Sequence, residues 1–394
     1  MSTRFDESRE VGGIDLLDSR LGRQPPVREV ARLDVLLRSR AALGLAPAAA
    51  PGVIFLPLGM LFGPAGLGVL SPALLAYLTP AVSVGLATLG VFVGLGLGPL
   101  RKVDRRLLGA SSLEAGLTIL VVAAAMWGVL DLFPEVSGAS PVFIALAFGI
   151  VASASSAGAA EVSNLPAHRA ATRVADLDDI LPIVGGGVAL AWLRDPSPGG
   201  ALWLTLLSVL IAVLVALAGW LLLDRRSAGP EHVAFFAGLL LLLGGAAEHL
   251  SLSALFMGMV AGACWAAAPG GRHEVIRKHL GRIQHPVVVL VLLAAGASAR
   301  IDTLALWLVI PFVLVRLAGK VAGGWAAARL AAGAPGSLGW FLVAPGVIGV
   351  AFALNTEMAL PDEAAVLLLT VAVVGSVASE VAAVFLLPHL ERRR

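Results

Sequence analysis

Cysteine, lysine and histidine are scarce in this chain of 394 residues, and so is charge of either sign. The one cysteine, Cys264, excludes a disulfide framework and a cysteine metal site. No two of the seven histidines have the spacing that places metal ligands on one helix face, so no metal is expected. Charged residues make up 14% of the chain, against about 25% in soluble domains. That deficit excludes a soluble enzyme, a nucleic-acid binder and a disordered scaffold. What fills the chain is apolar: 58% of residues, with a mean hydropathy of +0.91. The net charge of +2 is uninformative as a sum, but its distribution along the chain is not.

A membrane-spanning helix needs about 20 mostly apolar residues. Twelve candidate segments meet this, at about 44–63, 76–99, 112–131, 141–160, 170–193, 201–223, 232–248, 251–268, 284–299, 304–328, 337–354 and 363–388. Residues 1–43 form a charged tail carrying eight arginines, and 389–394 a short basic tail. The arginine-rich start lacks the apolar stretch of a signal peptide. Val30, Leu33, Leu36 and Leu37 fall on one helical face beside Arg28, Arg32 and Arg38. A basic interfacial helix and a partly disordered arm are both open. With twelve spans, 24 of the 28 Lys and Arg fall on the side of the N-terminus. Only Arg194 and Arg300 fall opposite, and Arg316 and Lys320 lie within a span. The positive-inside rule then places both termini in the cytoplasm.

The segments repeat. Segment one contains Gly59-Met60-Leu61-Phe62-Gly63 and segment eight Gly258-Met259-Val260-Ala261-Gly262. Segment two ends with Gly94-Leu95-Gly96 before Arg101, and segment nine with Gly296-Ala297-Ser298 before Arg300. Copies seven segments apart cross the membrane in opposite directions, the inverted repeat of many secondary transporters. The same offset pairs segment four, with Ser153, Ser155 and Ser156, with segment eleven, with Pro345, Gly346 and Gly349. Such residues loosen helices, and two interrupted spans at matching positions point to a transporter's binding site. Small residues also let membrane helices pack closely, so the pattern alone leaves both readings open.

Charges inside the apolar segments narrow the choice. Segment five carries Asp176, Asp178 and Asp179 ahead of Pro182. An Asp at a helix centre costs about 2.5–3.5 kcal/mol on insertion scales. One reading starts the helix at Asp179 as N-cap, at the water interface, with Pro182 in the first turn. Residues 180–193 would then span only about 21 Å, short of the roughly 30 Å core, which favours burial of the acids. Segment ten supplies Arg316 and Lys320. Lys320 and Asp178 each stand eight residues inside their spans, about 12 Å deep, so the two can pair and offset each other's burial. Adjacent residues on a helix point about 100° apart, so Asp178 and Asp179 divide their work. One can hold Lys320 while the other faces a cavity, where a proton and a small cation compete for the same oxygens. Glu380 in segment twelve is a further buried acid, Asp176 a pathway or surface residue, and Glu114 is expected at the interface. Arg316 needs a partner that the sequence does not name.

The stretch from Gly59 to Pro72, Val91-Phe92-Val93-Gly94-Leu95 before a basic Arg101–Arg106 loop, Asp178-Asp179, Gly258–Ala263 and Gly319-Lys320 together carry a likeness. Over about 44–388 the chain resembles the bacterial monovalent cation/proton antiporters, in the branch of sodium/proton exchangers and potassium-efflux antiporters. The resemblance implies an all-α polytopic membrane protein of about 12 transmembrane helices, an inverted-repeat sodium/proton antiporter-like fold with two crossed discontinuous helices, segments four and eleven. It implies a moving core near 112–193 and 304–388, with the rest as dimerisation scaffold, and hence a homodimer in the bacterial inner membrane. By motif match Asp179 would carry the ion and proton, and Asp178 would pair with Lys320. Ser153, Ser155, Ser156, Pro345 and Gly346 would line the cation site at the crossing. Arg316 would tune it, with Asp176 and Glu380 as secondary acids. Paired acids in this family go with electrogenic exchange. The chain departs from the family pattern in its charged tail, which replaces an extra leading helix, and in Val347 and Ile348, where an acid often stands.

The expected function is therefore exchange of a monovalent cation, Na+ first, for protons by alternating access, without catalysis, metal or cofactor beyond the transported ions. The alternative is a sodium-coupled symporter of a small organic anion, which would prefer Asn, Gln and Glu at the crossing. An intramembrane aspartyl protease would need a Gly-x-Gly-Asp motif that the sequence lacks.

Overall fold

Apolar runs in a membrane must satisfy every backbone polar group internally, and helices do so within one segment. The computed structural model describes residues 51–97, 105–132, 141–156, 166–223, 230–268, 272–330, 334 and 336–391. The tail 1–43, the start of segment one, the end of segment four and Arg392–Arg394 lie outside the described residues. Fourteen helices are present among the described residues. They are α1 (Pro51–Phe62), α2 (Pro72–Gly96), α3 (Arg105–Leu130), α4 (Pro141–Ser153), α5 (Pro166–Asp178), α6 (Ile180–Arg194) and α7 (Pro198–Leu223). There follow α8 (Pro230–His249), α9 (Ala254–Ala267), α10 (Arg272–Ser298), α11 (Thr303–Leu330), α12 (Leu338–Phe341), α13 (Val347–Ala359) and α14 (Glu363–Glu391).

All twelve expected segments are represented, and the two extra helices arise because segments five and eleven are each broken in two. Six helices are long and apolar enough to cross a membrane by themselves: α2, α3, α7, α10, α11 and α14. Several boundaries differ from the sequence reading. α3 begins at Arg105 rather than 112, and α10 at Arg272 rather than 284, so Arg272, Arg277, Lys278 and Arg282 lie on a helix rather than in a loop. Helix propensity explains both shifts, since Arg, Lys, Glu and Leu extend a helix past its apolar stretch.

The glycine motifs mark where the repeat units exchange partners. α1 packs on α10, and a Cβ at Gly59 or Gly296 would strike the backbone of the other helix. α9 packs on α2 in the same way, through Gly258 and Gly262 against Ala87 and Val91, with Gly94 facing Met259 and Ala263. Under the repeat, segment one corresponds to eight and two to nine. The α1–α10 contact therefore maps onto the α9–α2 contact, as a two-fold axis requires. Large side chains on the outward faces of α7 and α11 are exposed, among them Leu206, Leu210, Leu214, Leu217, Ile310 and Leu314. On a chain of this composition that is a lipid-facing surface.

Candidate ion-binding site

The site is built where two helices stop in mid-span. α4 ends at Ser153 and the chain runs extended through Ala154, Ser155 and Ser156. In the opposite strand of the crossing, α12 ends at Phe341 and α13 begins only at Val347, after Pro345 and Gly346. Pro345 has no N–H to continue a helix, and a run of serines competes with its own backbone. The two extended stretches pair antiparallel at Ser155 and Pro345. Ser156 N donates to Ala344 O at 2.9 Å, and Gly346 N donates to Ala154 O at 3.2 Å.

Arg316, from α11, satisfies carbonyls that the broken helices leave over. Its Nη2 donates to Ala154 O at 3.1 Å and its Nη1 to Val343 O, one from each half of the crossing. The partner of Arg316 that the sequence does not name is thus backbone. A guanidinium suits this task because its donors are fixed in a planar fork.

One helical turn further along α11, Lys320 is fully buried between two carboxylates. Its Nζ lies 3.1 Å from Glu114 Oε1 and 3.3 Å from Asp178 Oδ2. It also donates to Ser155 Oγ at 2.8 Å and to Ser153 O. Ser155 Oγ in turn donates to Asp178 Oδ2, and Thr118 Oγ1 donates to Glu114 Oε1 at 3.2 Å. Lys320 offers three N–H bonds, so the ammonium is shared among four acceptor groups. Glu114 was expected at the interface, and that expectation is corrected: its side chain is 0% exposed and is the carboxylate nearest to Lys320.

Asp178 and Asp179 fall at the break between α5 and α6. Pro182, in the first turn of α6, has no N–H to return to the carbonyl of Asp178 four residues before it. Asp179 occupies the N-cap position, but its side chain makes no capping bond. Its Oδ1 is buried without a hydrogen-bond partner, as is Asp178 Oδ1. The neighbouring carboxylates therefore differ in kind. Each keeps one buried oxygen unpartnered, but Asp178 is held through its Oδ2 by Lys320 and Ser155, while no hydrogen bond or ion pair holds the partly buried Asp179 among the described residues.

The arrangement of helices that carries this site matches a solved structure. The chain matches the structure of the sodium proton antiporter MjNhaP1 from Methanocaldococcus jannaschii with a TM-score of 0.59, covering 91% of this chain and 100% of that one. The fold is an antiporter fold. Sequence identity to MjNhaP1 is 16%, so the likeness concerns architecture alone. No protein-family model matches the chain, and no curated protein matches its sequence.

The structure gathers Asp178, Lys320, Ser153 and Ser155 into one hydrogen-bonded cluster and adds Glu114. Pro345 and Gly346 join it through the crossing. Asp176 is exposed and is not brought into that cluster. Glu380 is buried on α14 at the other side of the crossing, where it lines a small chamber with Ser156. Val347 lines that chamber too, and Ile348 is buried among apolar side chains.

Proposed function

We propose that this protein exchanges a monovalent cation, sodium first, for protons across the bacterial inner membrane, with Asp179 as the group that takes each in turn. The observation that carries this reading is the contrast between the neighbouring acids. A buried carboxylate without a partner is costly and rarely kept without a task. Asp179 Oδ1 bears that cost near a crossing where the Val343, Ala154 and Ser153 carbonyls are already engaged by Arg316 and Lys320. A proton or a dehydrated cation can relieve the cost, and each excludes the other, which is the condition for exchange.

Asp178, Glu114 and Lys320 act as the fixed frame against which Asp179 is presented. In this reading the core near 112–193 and 304–388 moves like an elevator against the remaining helices, which hold a second copy of the chain in a homodimer. Both termini are cytoplasmic. Exposure alternates because water reaches Asp179 from one side at a time. The symporter alternative lacks support at the crossing, where Ser153 and Ala154 offer carbonyls that already accept from Lys320 and Arg316.

The test is reconstitution in vesicles with an imposed pH gradient. Addition of sodium, potassium or lithium should dissipate the gradient, and Asp179→Asn should abolish the response with the protein still folded. A gradient that no cation dissipates ends the antiporter reading. Undiminished exchange by Asp179→Asn moves the carrier to another residue.

A further inference from the structure

The extended stretch at Ser155 and Ser156 serves two compartments. In extended backbone, successive side chains point to opposite faces. Ser155 points to Asp178 and Lys320. Ser156 lines a chamber of about 60 Å³ on the other side of the crossing. Its further polar lining residues are Ser376 and Glu380, one turn apart on α14, set among Pro345, Gly346 and the apolar Leu56, Leu292 and Val350. The chamber has room for a small cation, since a cavity needs only about 10–15 Å³ of such space to hold one water.

Glu380 is 6% exposed, and no hydrogen bond or ion pair reaches it among the described residues. Lys320 is engaged by Glu114 and Asp178, and the Nη donors of Arg316 go to carbonyls. Arg316 reaches Glu380 only through its field. Among the described residues, the region around the crossing thus holds four carboxylates, the buried Glu114, Asp178 and Glu380 and the partly buried Asp179, against two side-chain cations, Arg316 and Lys320. Two of the four, Asp179 and Glu380, have no cation in contact. The unpaired pair flank the crossing, one on each side.

We propose that the chamber bounded by Ser156, Ser376 and Glu380 is a second binding site for the transported monovalent cation, distinct from the site at Asp179. This rests on the antiporter reading and deepens it. A carboxylate and two hydroxyls are oxygen donors of the kind with which a membrane protein replaces a cation's hydration shell. One carboxylate suits a single positive charge better than a double one. The crossing is then the wall between two cation sites, and an ion leaving one has the other within the same buried region.

The experiment is equilibrium binding of radioactive sodium, and separately rubidium, to the purified full-length protein at alkaline pH. Wild type, Asp179→Asn, Glu380→Gln and the double variant are compared. Each single variant should retain about half of the wild-type occupancy, and the double variant none. Loss of all binding in Asp179→Asn, with wild type still binding and exchanging, overturns the second site alone. Full wild-type occupancy in Glu380→Gln overturns it as well. A wild type that neither binds nor exchanges any cation brings down the antiporter reading itself. Should Glu380→Gln not fold, rubidium-soaked crystals of the unaltered protein decide. An anomalous peak beside Glu380 and Ser156 supports the site, and a peak confined to Asp179 overturns it.

Discussion

Lys320 concentrates the energetics of the site in one ammonium group. Removing one partner of a buried ion pair costs about 3–5 kcal/mol, because the remaining charge stays buried without compensation. Lys320→Ala leaves two carboxylates, Glu114 and Asp178, facing each other with no cation between them. The variant should therefore unfold at markedly lower temperature in a detergent melt. Adding Glu114→Gln and Asp178→Asn to it should restore part of the loss. A melt unchanged by Lys320→Ala would mean that the cluster carries little stability. Asp178, Asp179 and Lys320 are legible in the sequence because each interrupts an apolar run. Glu114 is not legible in that way. A span starting at 112 puts it in the first turn, at the water interface. The helix in fact starts at Arg105, nine residues before Glu114, which sets Glu114 about 14 Å along its axis. Lys320 is ten residues from the end of its own helix, about 15 Å. The pair matches in depth only once the true helix ends are known.

At the scale of elements, the two readings of segment five prove compatible. Asp179 does stand at an N-cap position, and it is also part of a buried site, because α5 precedes it and supplies the missing length. Pro182 maintains the break between α5 and α6. Pro182→Ala restores an N–H that can bond to the Asp178 carbonyl, drawing α5 and α6 into one continuous helix. Asp179 already has helical dihedrals (φ -68°, ψ -19°), so the added bond would stiffen the joint, and we expect a higher melting temperature and a several-fold slower exchange in vesicles. Unchanged exchange would show that the break is incidental to transport. The breaks in segments four and eleven are readable from their serines, proline and glycines. The role of Arg316 is not, because its partners are the Ala154 and Val343 carbonyls, and a sequence displays no free carbonyl. It becomes visible only when both interruptions are placed side by side in space.

At the scale of the whole molecule, the packing of the repeats and the charge distribution answer different questions. The exchange of partners between α1–α10 and α9–α2 fixes how the copies are related, through glycines that let backbones touch. It says nothing about which end faces the cytoplasm, because an inverted repeat presents similar helix ends to both sides. Charge breaks that symmetry. On the twelve-span reading of the sequence all basic residues in loops and tails but Arg194 and Arg300 would fall on one side, and short cytoplasmic loops retain such residues during insertion. The lone cysteine makes a direct measurement simple. On a Cys264→Ala background, Ser197→Cys, ahead of α7, should react with a membrane-impermeant maleimide in intact cells. Ser227→Cys, in the arginine-bearing stretch between the sixth and seventh apolar segments of the sequence, should react only once the cells are opened. The reverse pattern would invert the protein in the membrane, and with it the direction in which Asp179 and Glu380 meet the cation.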